Sequence, residues 1–302
     1  MALAIRVPGK RPKGKTPPNP RTEDTPKMTF SVNTNAGAMT ALQYLTNTQA
    51  QLSVTQSAIN SGLKVASARD DGSIYAIAQN QRGAVAGYAA VTDSLSRASS
   101  AVDVALSAGQ SISDLLIQLK TKALAAADQA LDTASRQALN QDFVALRDQI
   151  GTIVKNAQFN GFNLVDGSTT QITALASADG TRRITTSAQN MNLSGTIVTL
   201  KSTATISTQT KASTLVATLQ TSLTNVNAAL AKLSSGVKKF SIQATFSQKL
   251  SDTLTGGIGQ LVDANMASES AMLQSLQVKQ QLGIQALSIA NQAPQTVLSL
   301  FR

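Results

Sequence analysis

The chain has 302 residues, a formal net charge of +10, and neither cysteine nor histidine. Those two absences exclude thiol nucleophiles, disulfides, Cys/His metal sites and every triad built on imidazole. Charged residues make up 14% and aromatic ones 3%, so alanine and small uncharged polar groups must cover most of the surface, which suits a chain that packs against copies of itself.

The charge is unevenly placed. Residues 1–27 hold seven basic residues against two acidic ones, and six of the seven prolines. Without apolar periodicity, this stretch is expected to be a disordered basic leader, and Met28, where organised sequence begins, is a candidate start. Gly9, Gly14, Lys15 and Thr16 fit the phosphate-binding pattern G-x-x-x-x-G-K-[ST], but Pro17, Pro18 and Pro20 stand where the helix would have to begin. The match is read as chance spacing. No apolar run of about 20 residues occurs, and the leader lacks the apolar stretch of a secretory signal. Neither a membrane nor a nucleic-acid partner is expected.

From Ala38 onward, apolar positions step by four and three. The first series is Ala38, Leu42, Leu45, Gln49, Leu52, Gln56, Ile59 and Leu63. The second runs from Val91 through Leu95, Ala98, Val102, Ala105, Gly109, Ile112, Leu116 and Leu119 to Ala123. That is a helix about 50 Å long at 1.5 Å per residue. A third holds Leu139, Phe143, Leu146, Ile150, Ile153 and Ala157; a fourth Leu215, Leu219, Ser222, Val226, Ala229 and Leu233, with Val237 and Phe240 beyond. The last is Leu273, Leu276, Gln280, Gly283, Leu287 and Ala290. Gln49, Gln56 and Gln280 are either interruptions or buried polar groups that fix register among identical subunits.

Asn160-Gly161 and Asp166-Gly167 are turn signals, and residues 168–209 are rich in Thr and Ser with strand-like alternation at Gly195–Leu200. Hairpins are expected there, at the far end of a rod where the chain reverses, in its most exposed segment. Gly256, Gly257 and Gly259 suggest a softened junction before the last helix, and Asp70-Asp71-Gly72 a break after the first. The expected fold is mainly α: a long antiparallel helical rod or coiled-coil bundle with a small β-hairpin region at its tip and the N- and C-terminal helices paired. The domains expected are the leader at 1–27, a terminal coiled coil of 29–71 with 262–302, a helical rod of 72–167 with 210–261, and a β-rich segment at 168–209. Rod packing is assigned to Leu95, Val102, Ile112, Leu116, Leu119, Leu146, Ile150, Leu219, Val226 and Leu233. Helices with so little apolar surface of their own need partners, so the termini are expected to order on assembly.

Chemistry finds no foothold. Ser61/Lys64 and Ser235/Lys238 fit S-x-x-K but lack its companion motifs. Asp70 and Asp71 lack further converging carboxylates and read as a helix break. No catalytic, cofactor-binding or metal-binding residue is assigned, and no enzyme activity is expected.

Several blocks, in order over about 275 residues, resemble bacterial flagellins. They are Val32–Asn35, Ile59–Lys64 followed by Ser67–Asp71, Phe159–Leu164, and Ala286–Gln295 followed by Leu298–Arg302. Ile74–Gln79 is most similar to the flagellins of alphaproteobacteria. The resemblance implies a structural subunit that polymerises with itself into the extracellular flagellar filament that drives swimming. It implies export through the flagellar type III apparatus, assembly under a filament cap beyond the hook-junction proteins, and escort by an export chaperone. It also implies a polymerisation core formed by Leu42, Leu45, Leu52, Ile59, Leu63, Leu273, Leu276, Leu287, Ile289, Leu298 and Leu300. The alternatives are a hook–filament junction protein and a secreted coiled-coil adhesin that does not polymerise.

Overall fold

The computed structural model describes residues 34–299, with side chains as far as Gln292. The expected leader at 1–27 and Leu300 lie outside the described residues, as does the side chain of Leu298. The elements are α1 (Ala36–Ser61), α2 (Gly72–Ala126), α3 (Thr133–Asn156), β1 (Gln158–Phe159), β2 (Phe162–Asn163), β3 (Gln171–Leu175), β4 (Arg183–Ser187), α4 (Gln209–Val262) and α5 (Met266–Ser299). The fold is mainly α, with two small antiparallel strand pairs, β1–β2 and β3–β4. The chain forms two compact units: Ala58–Met266, and the remainder, up to Ser57 and from Ala267.

Within Ala58–Met266, α2 and α4 are 55 and 54 residues long, about 80 Å each. Nothing between Gly72 and Ala126 breaks the first, so it exceeds the length that its heptads alone suggest. Asp71 starts it by accepting the Ser73 and Ile74 N–H groups, as Asp132 and Thr208 do for α3 and α4. The two long helices run antiparallel, with Ser113 at Asn227 and Lys120 at Gln220. Their seam buries Leu95, Val102, Ile112, Leu116 and Leu119 against Leu219, Val226, Leu233 and Phe240. Phe143 and Ile150 add the inner face of α3, whereas Leu146 is only half-buried.

The buried neighbour of Leu146 is Arg147. Its guanidinium donates to the Ala204 carbonyl at 2.7 Å and to Asp148 Oδ1, holding the segment before α4 onto α3. A charge on an apolar face is tolerable here because every donor direction used meets an oxygen.

The strand region is placed differently from the expectation. The β3–β4 pair does not cap the end where α2 gives way to α3; it lies back along the helices. Leu175 N–H donates to Ser94 Oγ, the Gln243 side chain donates to the Ala176 carbonyl, and Met191, Val198, Leu200 and Ile206 are fully buried. The segment 168–209 is therefore largely packed, not the most exposed part. Two helical glycines make this possible. A methyl at Gly87 would stand 2.8 Å from the Ala178 carbonyl oxygen, and one at Gly236 would stand 2.3 Å from Thr186 Cγ2.

The other glycine expectation also changes. Helix α4 runs straight through Gly256, Gly257 and Gly259 and ends at Val262. There the chain passes beside the α1–α2 connection. Lys64 N–H donates to the Val262 carbonyl at 2.8 Å, Ala264 N–H donates to the Gly62 carbonyl at 2.9 Å, and Leu63 bridges Asp263. Val65, Ala78, Ile258 and Val262 form a small separate core beside this clasp.

A Gly236→Ala exchange tests the close packing of β4. In an exposed helix interior it stabilises by about 1 kcal/mol; here the Thr186 clash should reverse the sign and destabilise by about 1–3 kcal/mol. Thermal unfolding should show a lower Tm for Gly236→Ala and an unchanged Tm for Ser235→Ala, since Ser235 is exposed.

Candidate assembly surfaces

The terminal unit differs in kind. Helix α1 contains no charged residue along its whole length, and α5 contains only Glu269 and Lys279. Ion pairs, a usual cover of an exposed helix face, are missing from α1, whose solvated groups are neutral Gln, Asn, Ser and Thr side chains. The two helices meet at a narrow seam. Asn35 accepts the Ala38 N–H at 3.0 Å to start α1, and its side-chain amide donates to the Ala290 carbonyl at 2.7 Å. A methyl at Gly283 would sit 3.3 Å from Leu45 Cδ1, so glycine lets α5 approach closely.

The seam on α1 is Ala38, Ala41, Leu45, Thr48, Leu52 and Thr55. Three of the eight expected positions are shifted by one residue: Ala41 replaces Leu42, Thr48 replaces Gln49 and Thr55 replaces Gln56. At these three positions small side chains take the seam, alternating with the leucines Leu45 and Leu52. Gln49 and Gln56 are exposed, so neither is a buried polar group within the chain, and Gln280 is half-buried. On α5 the expected series lies on the seam, with Leu276 buried and Leu273 and Leu287 half-buried.

What the seam leaves out defines the surface. Leu42 is 52% exposed and Ile289 68% exposed, and Met39, Tyr44, Val54 and Leu282 are exposed with them. Leu45 is buried and Leu52 is half-buried; Ile59 and Leu63 are half-buried in the other unit, Leu63 against the small core beside the clasp. Apolar exposure on this scale, without charges between, marks an interaction surface. Sequence reading passed over Asn35, Thr55 and Arg147. A lone arginine between Leu146 and Ile150 was the only available signal for the last.

The carboxylates of the rod unit organise turns. Asp70 Oδ2 accepts the Ala66 and Ser67 N–H groups and the Ser67 hydroxyl at 2.8–3.1 Å. The Ser67 backbone bond, then its hydroxyl, holds the Asp70 pKa below the usual carboxylate value. The Ser135 side chain, its first cause, lowers Asp132 likewise. Hydroxyls of Ser177 and then Thr181 lower Asp179, at the tip of the β3–β4 turn, to about 2. Among the described residues, no group of three or more carboxylates could hold a metal ion, and no helix is long and apolar enough to cross a membrane.

Comparison with known proteins covers both units. The model of the bacterial flagellin N-terminal helical region matches residues 32–170, and that of the C-terminal helical region matches residues 216–301. Flagellin FljK of Caulobacter vibrioides is 50% identical over 90% of this chain and 98% of its own length. Flagellin FljM of the same organism is 48% identical over the same shares. A flagellin of Brucella melitensis is 34% identical over 90% of this chain and 99% of its own.

The depressed carboxyls set a pH dependence. A lowered folded pKa contributes stability above the unfolded value that is lost as pH falls through the folded one. The Tm of the rod should therefore be level from pH 7 to about 5 and fall below about 4. NMR titration should show the Asp179 carboxyl still ionised at pH 3. Titration of Asp179 at an ordinary carboxylate value would contradict the turn geometry.

Proposed function

The chain belongs to the bacterial flagellins, and on that premise we propose how its parts serve a subunit that polymerises into the flagellar filament. The observation that carries this reading is the charge-free helix α1, with apolar residues that its own chain does not cover. Buried charges without partners are costly, so a helix meant to be surrounded by copies does best without them. Leu42, Leu45, Leu52, Ile59 and Leu63, with Leu273, Leu276, Leu287, Ile289, Leu298 and Leu300, form the polymerisation core. The α2–α4 unit is the surrounding rod, which keeps its shape through its own packed seam.

The remaining roles follow from the family. The chain leaves the cell through the flagellar type III apparatus, escorted by a chaperone. It is added beneath the filament cap beyond the hook-junction proteins and works outside the cell as a structural part, not an enzyme. The absence of cysteine suits that route, since no cross-link can hold a folded shape in a narrow channel. A hook–filament junction protein and a non-polymerising adhesin are the readings that the family match disfavours.

Leu42→Asp separates stability from assembly. In the monomer Leu42 is half in water, so its Tm should change little, by about 0.5 kcal/mol of stability or less. Inside a polymer the new carboxylate is unpaired and costs about 3–5 kcal/mol. Electron microscopy with filament seeds should show elongation of the unaltered chain and none of Leu42→Asp. A chain ending at Met266 should remain folded and likewise fail to elongate. Filaments from that truncated chain would remove the terminal helices from the core.

A further inference from the structure

We propose that the outer faces of α2 and α4 are two halves of a head-to-tail contact between copies, in which Asp103 and Asp114 of one copy meet Lys249 and Lys238 of the next. This contact presupposes the polymerisation proposed above and names a surface through which the rods touch.

The two faces are opposite in charge and equal in spacing. Between Ala98 and Leu119 the only charges on α2 are Asp103 and Asp114. Between Leu230 and Ser251 all four charges on α4 are lysines. Asp103 and Asp114 are eleven residues apart, and so are Lys238 and Lys249. Eleven residues make three turns, so each pair lies on one face with about 16 Å between its members. All four residues are exposed, on the side of each helix away from the buried seam. Among the described residues the ion pairs are Lys122–Asp142 and Arg147–Asp148, so these four have no ionic partner there.

Shape agrees with charge. Between its two lysines α4 exposes Ile242, at 70%, with Phe246 beside it. Between its two aspartates α2 exposes Ser107, Gln110 and Ser111, a strip with neither charge nor ring to oppose them. Two different faces of one chain that fit each other make a heterologous contact, which repeats without closing when its rotation does not close, and so builds a helical polymer. Single exposed ion pairs are weak. Two at matched spacing fix direction and register, which is what complementary charges supply best.

The test is charge reversal and its repair, read at low salt as the steady elongation rate after growth has passed the seed, where each copy adds to copies of its own kind. Asp103→Lys with Asp114→Lys should slow elongation about tenfold or more, and so should Lys238→Asp with Lys249→Asp. All four exchanges in one chain should restore the rate to within about twofold. Each monomer is first checked for unchanged helicity and Tm. Should a reversed chain lose its fold, Asp103→Asn with Asp114→Asn replaces it; added salt should then slow the unaltered chain but not this one. Unimpaired growth of the double variants, or a fourfold variant as slow as the doubles, overturns the pairing. Failure of the unaltered chain on competent seeds contradicts the polymer reading instead, so the two failures are distinguishable.

Discussion

An exposed apolar face calls for cover, and α1 leaves one uncovered while carrying no charge along its length. That constraint organises the rest of the molecule. The terminal helices share a thin seam in which leucines alternate with alanine, threonine and glycine, with Leu45 against Gly283, and leave Leu42, Tyr44, Val54 and Ile289 uncovered. A seam so narrow gives little stability to isolated helices. Copies of the chain are the natural cover, because an uncharged, small-residue surface accepts close neighbours from several directions without stranding an ion.

The rod unit is built on the opposite principle. Its heptads close on themselves, with Val102, Ile112, Leu116, Leu219 and Phe240 fully buried. Apart from the buried Arg147 its charges go largely to the outside, where a few tie down local structure. Arg147 holds the segment before α4, and Arg136 collects the carbonyls of Ala126, Asp128 and Leu131 where α2 turns into α3. The clasp of Gly62 and Lys64 with Val262 and Ala264 secures the two ends of this unit by backbone bonds beside the small core of Val65, Ala78, Ile258 and Val262. The unit can thus keep its fold whether or not the terminal helices are engaged.

Much of this was legible in the residues. The long seam from Val91 to Ala123 repeats strictly enough to assign every position, because each was filled by an apolar or small residue and all are buried. The seam of α1 was misread at alternate positions, since Leu42 is more apolar than Ala41 but too large for a tight helix contact. The folded-back strands were invisible to periodicity. They depend on Gly87 and Gly236 meeting residues about 90 and 50 positions away, and glycine in a helix has no sign of its own. The glycines near Gly257 misled in the other direction, because a helix of 54 residues can absorb their modest propensity cost.

Hydrogen exchange on α1 amides, in the monomer and in the filament, decides whether copies of the chain complete the burial that the seam with α5 begins. Protection of Leu45–Thr55 should rise about a hundredfold or more on assembly, while buried amides of α2 and α4 change little. Equal protection of α1 in monomer and filament would mean that the chain already satisfies that helix by itself, and would contradict a core completed by copies.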